Sequence, residues 1–276
     1  MSAFPYVKAL RRELGARNLE YAQHHRLAHR VTSGPEPIVC YEASEDGRQQ
    51  HGNFLPSVYR AICRDDNWRR RLEKPHTSAA QIFPRDGMRR KELDSSTSSD
   101  ALLMNVFCYP GTLKRGLVLK LLHVEAAKTP EFGYRARVPL ANGSTDRTEV
   151  DMRLENLLIE AKLTEFDFQR KAVAVVNGYR DFYDVFKVPT LARSEECYLS
   201  YQLIRNVLAA YQGGCSFCVI MDARRPDLRE HWYAVMRSIR IHELLMRCRM
   251  VTWQELARVL PAKLQDFLRE KYGIDG

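Results

Sequence analysis

The feature that most constrains the fold of this chain is an alternating segment at residues 148–163, TEVDMRLENLLIEAKL. Apolar side chains recur at every second position on both sides of Glu155 and Asn156, and that period is typical of β-strands. A two-residue turn at Glu155 and Asn156 would join two antiparallel strands into a hairpin. One face of this hairpin is wholly apolar and is predicted to belong to a core: Val150, Met152, Leu154, Leu157, Ile159, Ala161 and Leu163.

The opposite face of the hairpin carries charged side chains. Pairing centred on the turn places Asp151 opposite Glu160 and Glu149 opposite Lys162, with directly opposed Cβ atoms about 4.5–5.5 Å apart. Two carboxylates held that close repel each other, whereas a divalent cation between them turns the repulsion into binding. Carboxylate oxygens suit Mg²⁺ and Mn²⁺. The pattern therefore predicts a metal site at Asp151 and Glu160, where Lys162 orients or deprotonates a water molecule.

A second interpretation of the hairpin is an ordinary edge of a sheet whose charges face solvent. Glu149 and Lys162 would then form a simple cross-strand pair. The turn leaves this alternative open, because Glu-Asn is not the favoured Asn-Gly pair. A slip of one residue in the register would also move Asp151 and Glu160 to different faces.

The predicted elements from residue 98 to residue 222 follow the order helix, three strands, helix, strand. Ser98 and Ser99 followed by Asp100 are typical of a helix start. Helices are also predicted over 195–212 and 227–246, and a buried strand over 215–222. Residues 1–95 are predicted to be a mostly helical, basic extension, and residues 96–276 a domain with a C-terminal helical appendage. The segment 75–99, rich in Pro, Ser, Thr, Arg and Lys, is predicted to be a loop or linker.

Val150 and Asp151, followed by Glu160, Ala161 and Lys162, resemble the signature of the PD-(D/E)XK nuclease superfamily, with Val where the family name has Pro. The order of elements over 98–222 is similar to the αβββαβ core of that restriction-endonuclease-like family. The segment IEAKLTE followed by DF resembles a group of restriction-endonuclease-like bacterial proteins. The resemblance implies an α/β fold with a central mixed sheet flanked by helices.

The resemblance also implies an activity and its residues. Asp151 and Glu160 would be ligands of Mg²⁺ or Mn²⁺, the backbone carbonyl of Ala161 would add a ligand, and Lys162 would position the water. The expected activity is that of a metal-dependent deoxyribonuclease, an endonuclease that hydrolyses phosphodiester bonds in DNA. A non-catalytic nucleic-acid-binding protein on the same fold is the alternative. Pairing of two chains into a homodimer would allow both strands to be cut.

Two further positions of the expected site stay open. Related nucleases place a Gln on the helix after the ExK strand, and Gln202 matches that place, although a surface position on the helix is an equal interpretation. The family often adds an acidic residue from its first helix. Asp100 and Glu125 are the available choices, and the sequence does not decide between them.

The charge of the chain is compatible with a nucleic-acid partner. The 43 Lys and Arg residues outnumber the 34 Asp and Glu residues, and the formal charge of +9 attracts phosphate backbones. Aromatic and cationic side chains alternate over 166–187, a mixture suited to stacking on bases and contacting phosphates. An amphipathic segment that covers the sheet is the alternative and is preferred. The candidate DNA-binding cations are Arg170, Lys171, Arg180 and Lys187.

The remaining sequence features exclude several classes of protein. The seven cysteines are odd in number and lie mostly in apolar stretches, which indicates free thiols in a reducing compartment. The sequence contains neither a signal-peptide core nor about 18 consecutive apolar residues, so a soluble cytoplasmic protein without a membrane partner is predicted. No Walker A loop or dinucleotide fingerprint is present, and no nucleotide cofactor is expected.

Three histidines, His24, His25 and His29, follow closely upon one another at the end of the first predicted helix. A metal site is one interpretation of this cluster. A solvated basic face is preferred, because no carboxylate or cysteine cluster lies nearby in the sequence.

Overall fold

The computed structural model describes residues 5–32, 36–43, 50–76, 91–126 and 128–276, which form two compact units. The first unit comprises the chain up to Ala127 together with Trp253–Gly276, and the second unit is Lys128–Thr252. Most of the predicted linker at 75–99 lies outside the described residues. The predicted domain boundary between residues 95 and 96 stays a prediction. The two compact units are divided elsewhere, between Ala127 and Lys128 and between Thr252 and Trp253.

The first unit is mainly helical and is built from both ends of the chain. Its N-terminal part contains α1 (Pro5–His24), β1 (His29–Val31), β2 (Val39–Tyr41), α2 (Pro56–Arg64), α3 (Asp66–Arg71), α4 (Ser99–Phe107), a 3₁₀ turn (Thr112–Lys114) and α5 (Gly116–Leu122). Ser98 caps α4, because its Oγ accepts a hydrogen bond from the Ala101 amide at 3.1 Å. This contact confirms the predicted helix start.

The second unit contains the central sheet. Its elements are β3 (Glu131–Arg135), β4 (Val138–Pro139), β5 (Thr145–Asp146), β6 (Glu149–Leu154), β7 (Leu157–Lys162), β8 (Lys171–Ala172), α6 (Val173–Asn177), α7 (Phe182–Val185), a 3₁₀ turn (Val188–Thr190), β9 (Cys197–Tyr198), α8 (Tyr201–Gly213), β10 (Ser216–Met221), α9 (Pro226–Met236), α10 (His242–Met246) and β11 (Cys248–Thr252). The first unit then closes with α11 (Trp253–Ala257) and α12 (Ala262–Tyr272).

The five-stranded sheet has the order β11-β10-β7-β6-β3, so β7 lies in its centre. β3, β6 and β7 pair antiparallel, whereas β10 runs parallel to both β7 and β11. The sheet is therefore mixed, and the α/β class with a mixed central sheet is confirmed. The central position of β7 matters for function, because both of its edges are covered by neighbouring strands.

The hairpin of β6 and β7 has the predicted register. Leu154 pairs with Leu157 and Met152 with Ile159, so the turn falls at Glu155 and Asn156. Glu155 has a φ of 52°, in the left-handed region that a tight hairpin turn requires. The Glu155 carbonyl accepts a hydrogen bond of 2.8 Å from Arg153 Nε, and this contact supports a turn that lacks the favoured glycine.

Apolar side chains of α8 and α9 cover one face of the sheet. Leu158 and Val219 of the sheet pack in one buried cluster with Val207 of α8. Trp232 of α9 contacts Phe217, with ring centroids 5.9 Å apart. Among the described residues, no helix combines the length and the apolar character needed to cross a bilayer.

Two predicted helices are shorter than their patterns indicated. The prediction over 195–212 is wrong at its start, because β9 pairs with β8 and α8 begins only at Tyr201. The prediction over 227–246 is wrong in its middle, where the chain leaves the helix after Met236 and Ile239 forms a β-bridge with Phe186. In both places pairing with a segment distant in sequence replaces helix.

Arg225 fixes the loop that follows β7. Its guanidinium is fully buried and donates hydrogen bonds to the carbonyls of Leu163 (3.3 Å), Glu165 (2.8 Å) and Phe166 (3.2 Å). The same group forms an ion pair with Asp227 at 2.8 Å. One side chain thus satisfies three loop carbonyls that no sheet partner takes up.

Replacing Arg225 with Leu should lower the free energy of unfolding by about 3 kcal/mol, because it removes the donor from the buried Leu163 carbonyl and the counter-ion from Asp227. Urea denaturation followed by circular dichroism measures the change. The matched control is Arg237→Leu, which removes an exposed arginine and should change stability by less than about 0.5 kcal/mol. Equal effects of the two substitutions would contradict the assigned role of Arg225.

Candidate active site

Glu160 and Lys162 lie on the central strand β7 and are almost completely buried, with exposed fractions of 1% and 4%. Asp151, on the neighbouring strand β6, is partly buried. Charged side chains are rarely buried to this degree unless they are paired. The interpretation of the hairpin as a solvated sheet edge is therefore wrong for Glu160 and Lys162.

At the level of Asp151, a side-chain hydrogen bond replaces the backbone hydrogen bonds between β6 and β7. Their described pairing extends only as far as Met152 and Ile159. Beyond that point, the amide of Ala161 donates a hydrogen bond of 2.7 Å to Oδ2 of Asp151. The N–H and C=O groups of one residue point to the same side of a strand, so the carbonyl of Ala161 also faces the strand that carries Asp151.

Lys162 forms a buried ion pair with Glu160, with 2.6 Å between Nζ and Oε1. Burial alone would lower the pKa of Lys162, but the nearby carboxylates of Glu160, Glu165 and Asp151 raise that pKa above its ordinary value. The ammonium also lies 5.6 Å from the centre of the Phe168 ring. Lys162 is therefore a cation in this arrangement, held among three acids.

Asn206 on α8 holds the second oxygen of Glu160. Its Nδ2 donates to Glu160 Oε2 at 2.8 Å, and its Oδ1 accepts a hydrogen bond of 3.1 Å from Nη1 of Arg205. Arg205 is itself buried and donates to the carbonyls of Ala136 and Thr148. The orientation of the Glu160 carboxylate is thus fixed from both sides, by Lys162 and by Asn206.

Sequence reasoning selected Gln202 on α8 and missed Asn206. Both residues lie on one side of the helix, because positions four apart are neighbours on a helix surface. Gln202 is partly buried, and its place in the site stays a prediction. The helical spacing of four from Gln202 is the signal that could have indicated Asn206.

The two acids considered as additional ligands belong to the first unit. The Asp100 carboxylate is bound there by Arg71 at 2.8 Å and Lys74 at 3.3 Å. Glu125 is exposed on the chain after α5. Among the residues of the second unit, Glu165 is the further acid that influences Lys162, and its carboxylate accepts a hydrogen bond of 2.7 Å from the Leu163 amide.

The segment 166–187 separates into buried aromatic rings and exposed cations. Phe168, Tyr179 and Phe182 are core residues of the second unit, whereas Phe166 and Tyr183 are about half exposed. The preferred interpretation, a segment that covers the sheet, holds for the three buried rings, which are not available for stacking on bases. The four predicted DNA-binding cations are all exposed: Arg170, Lys171, Arg180 and Lys187.

These exposed cations differ in their surroundings. The Arg180 guanidinium donates two hydrogen bonds to the Asp181 carboxylate, from Nε at 2.9 Å and from Nη2 at 3.1 Å. Lys171 lies over the ring of Tyr201, with Nζ 5.4 Å from the ring centre. Part of the charge of Arg180 is therefore already balanced, while Lys171 points its ammonium toward the surface of an aromatic ring.

The donor set of the site fits a hard divalent cation. Asp151 and Glu160 supply carboxylate oxygens from facing strands, and Ala161 supplies a backbone carbonyl on the same side. Magnesium in proteins is usually held by one or two carboxylates together with water and substrate phosphates. Glu160 Oε1 already faces one cation in this structure, the ammonium of Lys162 at 2.6 Å.

The comparisons with known proteins identify one family. A family model with the description "Restriction Endonuclease associating with ARP" matches residues 18–273, a span that includes Asp151, Glu160 and Lys162. No curated protein and no solved structure matches the chain.

A double-mutant cycle should show that Glu160 and Lys162 depend on each other. Lys162→Met leaves buried carboxylates without their counter-ion and should cost about 3–5 kcal/mol of stability. Adding Glu160→Gln should restore part of that loss, because one of the uncompensated charges is removed. Urea denaturation of the two single variants and the double variant measures the coupling. Strictly additive effects would contradict a direct interaction.

Proposed function

The chain belongs to the family described as Restriction Endonuclease associating with ARP, and from this membership we propose that it is a metal-dependent nuclease, an endonuclease that hydrolyses phosphodiester bonds in DNA. A restriction-endonuclease family suggests nuclease activity in general. The single observation that carries the finer proposal is the group formed by the buried Glu160 and Lys162 and the partly buried Asp151 at the centre of the sheet.

A need for stability does not explain this buried group. Removing an ion pair from water costs several kcal/mol per ion, and apolar residues of similar volume often stabilise a protein equally well or better. The rest of the face around Glu160 is apolar, with Leu158 and Val219 fully buried beside it. Buried, interacting charges of this kind are typical of functional sites.

Asp151, Glu160 and the carbonyl of Ala161 would hold Mg²⁺ or Mn²⁺. A bound ion of this type supplies Lewis-acid chemistry, since it lowers the pKa of a water ligand and stabilises negative charge on a phosphodiester. Asn206 already fixes the orientation of Glu160, and the Ala161 amide fixes that of Asp151.

Lys162 would act on the water and on the scissile phosphate. Its ammonium carries three N–H donors and donates to Glu160 in this structure. In the proposed reaction the ammonium would hold the attacking water in line with the phosphorus atom and offset the negative charge that develops in the transition state. Lys162 therefore has a positioning and charge-balancing role in the proposed reaction.

Exposed cations of the second unit would hold the DNA backbone. Contacts of Lys and Arg with phosphates set the position of a duplex and give affinity without sequence information. Four exposed cations follow the strand that carries Glu160 and Lys162: Arg170, Lys171, Arg180 and Lys187. A homodimer of the chain would place two such sites on the two strands of one duplex.

Asp151→Asn is the most informative test of catalysis. The Asn carbonyl oxygen still accepts the Ala161 amide, so the fold should hold, but the negative charge needed for a metal ligand is lost. Cleavage of supercoiled plasmid and of linear DNA with Mg²⁺ or Mn²⁺ should fall by at least about 100-fold, and EDTA should abolish it in the wild type. Linear rather than nicked plasmid would indicate paired cuts.

The control for this test is Asp184→Asn, which removes one carboxylate from an exposed position on α7 and should leave cleavage unchanged. Full activity of Asp151→Asn would contradict the assignment of the site. Salt-dependent DNA binding by the wild type without cleavage under any metal condition would instead favour the alternative, a non-catalytic nucleic-acid-binding protein.

Lys171→Ala should weaken DNA binding and reduce the slope of log Kd against log salt by about one unit, because one phosphate contact is lost. Arg180→Ala should have a smaller effect, since Asp181 already neutralises part of its charge. Fluorescence anisotropy at several salt concentrations measures both. Lys120→Ala, an exposed lysine of α5, is the control, and an equal effect of Lys120→Ala would contradict a specific role of Lys171.

A further inference from the structure

The histidines at the end of α1 meet a carboxylate from the other end of the chain. His25 Nε2 lies 2.7 Å from Oε1 of Glu270 on α12, a residue 245 positions away in sequence. His24, His25 and Glu270 each present a ligand atom within 4.8 Å of the others. All three side chains belong to the first unit, and the proposed nuclease chemistry does not use them.

The ligand set of this group is that of a borderline-soft divalent metal. Two imidazoles and one carboxylate are a recurring set of three protein ligands for Zn²⁺, which keeps a further position for water. Zinc bonds of about 2.0–2.2 Å place tetrahedral ligand atoms roughly 3.4 Å apart. The present separations of up to 4.8 Å therefore need only small side-chain rotations at an exposed site.

The scaffold beneath the three ligands is well packed. Asn18 of α1 donates a hydrogen bond of 3.1 Å to the carbonyl of Lys271, the residue next to Glu270. Lys271 is buried, and its Nζ lies 3.6 Å from the centre of the Tyr41 ring. The rings of Tyr21 and His25 are in tilted contact, with centroids 4.4 Å apart and an interplanar angle of 48°. The relative placement of α1 and α12 is thus fixed by contacts other than the ligands themselves.

Electrostatics at the end of α1 also favour a cation. A helix C-terminus carries partial negative charge from its unsatisfied carbonyls, and His24 is the last residue of α1, a helix of 20 residues. His25 and Glu270 line a cavity of about 370 Å³ within the first unit. That cavity leaves room for water or another small ligand in the open coordination position.

We propose that His24, His25 and Glu270 bind a Zn²⁺ ion that links the end of α1 to α12. This site is separate in chemistry from the carboxylate site of Asp151 and Glu160. Imidazole nitrogen suits Zn²⁺, Co²⁺ and Ni²⁺, whereas carboxylate and carbonyl oxygen suit Mg²⁺ and Mn²⁺. The ion would tie two segments that are far apart in sequence, so its binding would stabilise the folded first unit.

Isothermal titration calorimetry of the full-length protein with ZnCl₂, in an excess of MgCl₂ that saturates oxygen-only sites, tests this proposal. The expected result is one Zn²⁺ per chain, lost in both His24→Ala and Glu270→Gln. His29→Ala is the matched control, because the Nδ1 of this nearby histidine is already bonded to the Leu27 carbonyl at 2.8 Å, and it should bind zinc like the wild type. Circular dichroism of each variant checks its folding.

Substitution of Co²⁺ for Zn²⁺ provides an independent measurement. Nitrogen and oxygen ligands give visible absorption without the strong ultraviolet band of a cobalt thiolate, so the spectrum excludes the free cysteines as the ligands. The melting temperature of the wild type should rise with zinc concentration, and that of Glu270→Gln should not. Absence of zinc binding, binding that survives both ligand substitutions, or a thiolate band would each overturn the proposal. None of these outcomes bears on DNA cleavage.

Discussion

The second unit is built around the buried Glu160–Lys162 ion pair. Both residues lie on β7, the central strand, where neighbouring strands and α8 exclude solvent. In such a low-dielectric setting an ionised group must be compensated at every oxygen and every N–H. Asn206 and the acids around Lys162 provide that compensation. The arrangement therefore has a defined geometry before any substrate or ion is present.

Two buried arginines hold the backbone of segments that precede and follow the hairpin. Arg205 bonds to the carbonyl of Ala136, just after β3, and to that of Thr148, just before β6, while Arg225 bonds to three carbonyls of the loop just after β7. A guanidinium has five N–H donors in a rigid plane and can satisfy several carbonyls together. Irregular backbone next to the hairpin thus has side-chain donors for its carbonyls.

The sequence predicted the hairpin well, because strand period and turn position are local properties. The alternation over 148–163 determines which side chains share a face, and the observed pairing of Leu154 with Leu157 follows from it. The four strands predicted over 98–222 correspond to β3, β6, β7 and β10, whereas β5, β8, β9, α6 and α7 were not predicted. Long-range pairing was not predictable, which explains the start of α8 at Tyr201 and the break after Met236. Asn206 and Glu270 acquire their partners only when segments distant in sequence pack together.

The hydrogen bond from the Ala161 amide to the Asp151 carboxylate gives position 151 a structural role that is separate from the proposed binding of a metal ion. The carboxylate closes the gap where the two strands cease to pair, so the residue supports the hairpin whether or not the chain acts on a substrate. A lineage that lost catalysis would still be under selection to keep an acceptor at this place, with Asn as the simplest replacement. In such a descendant, an Asn at position 151 would therefore indicate that the charge was lost and that the hydrogen-bond acceptor supporting the fold was kept.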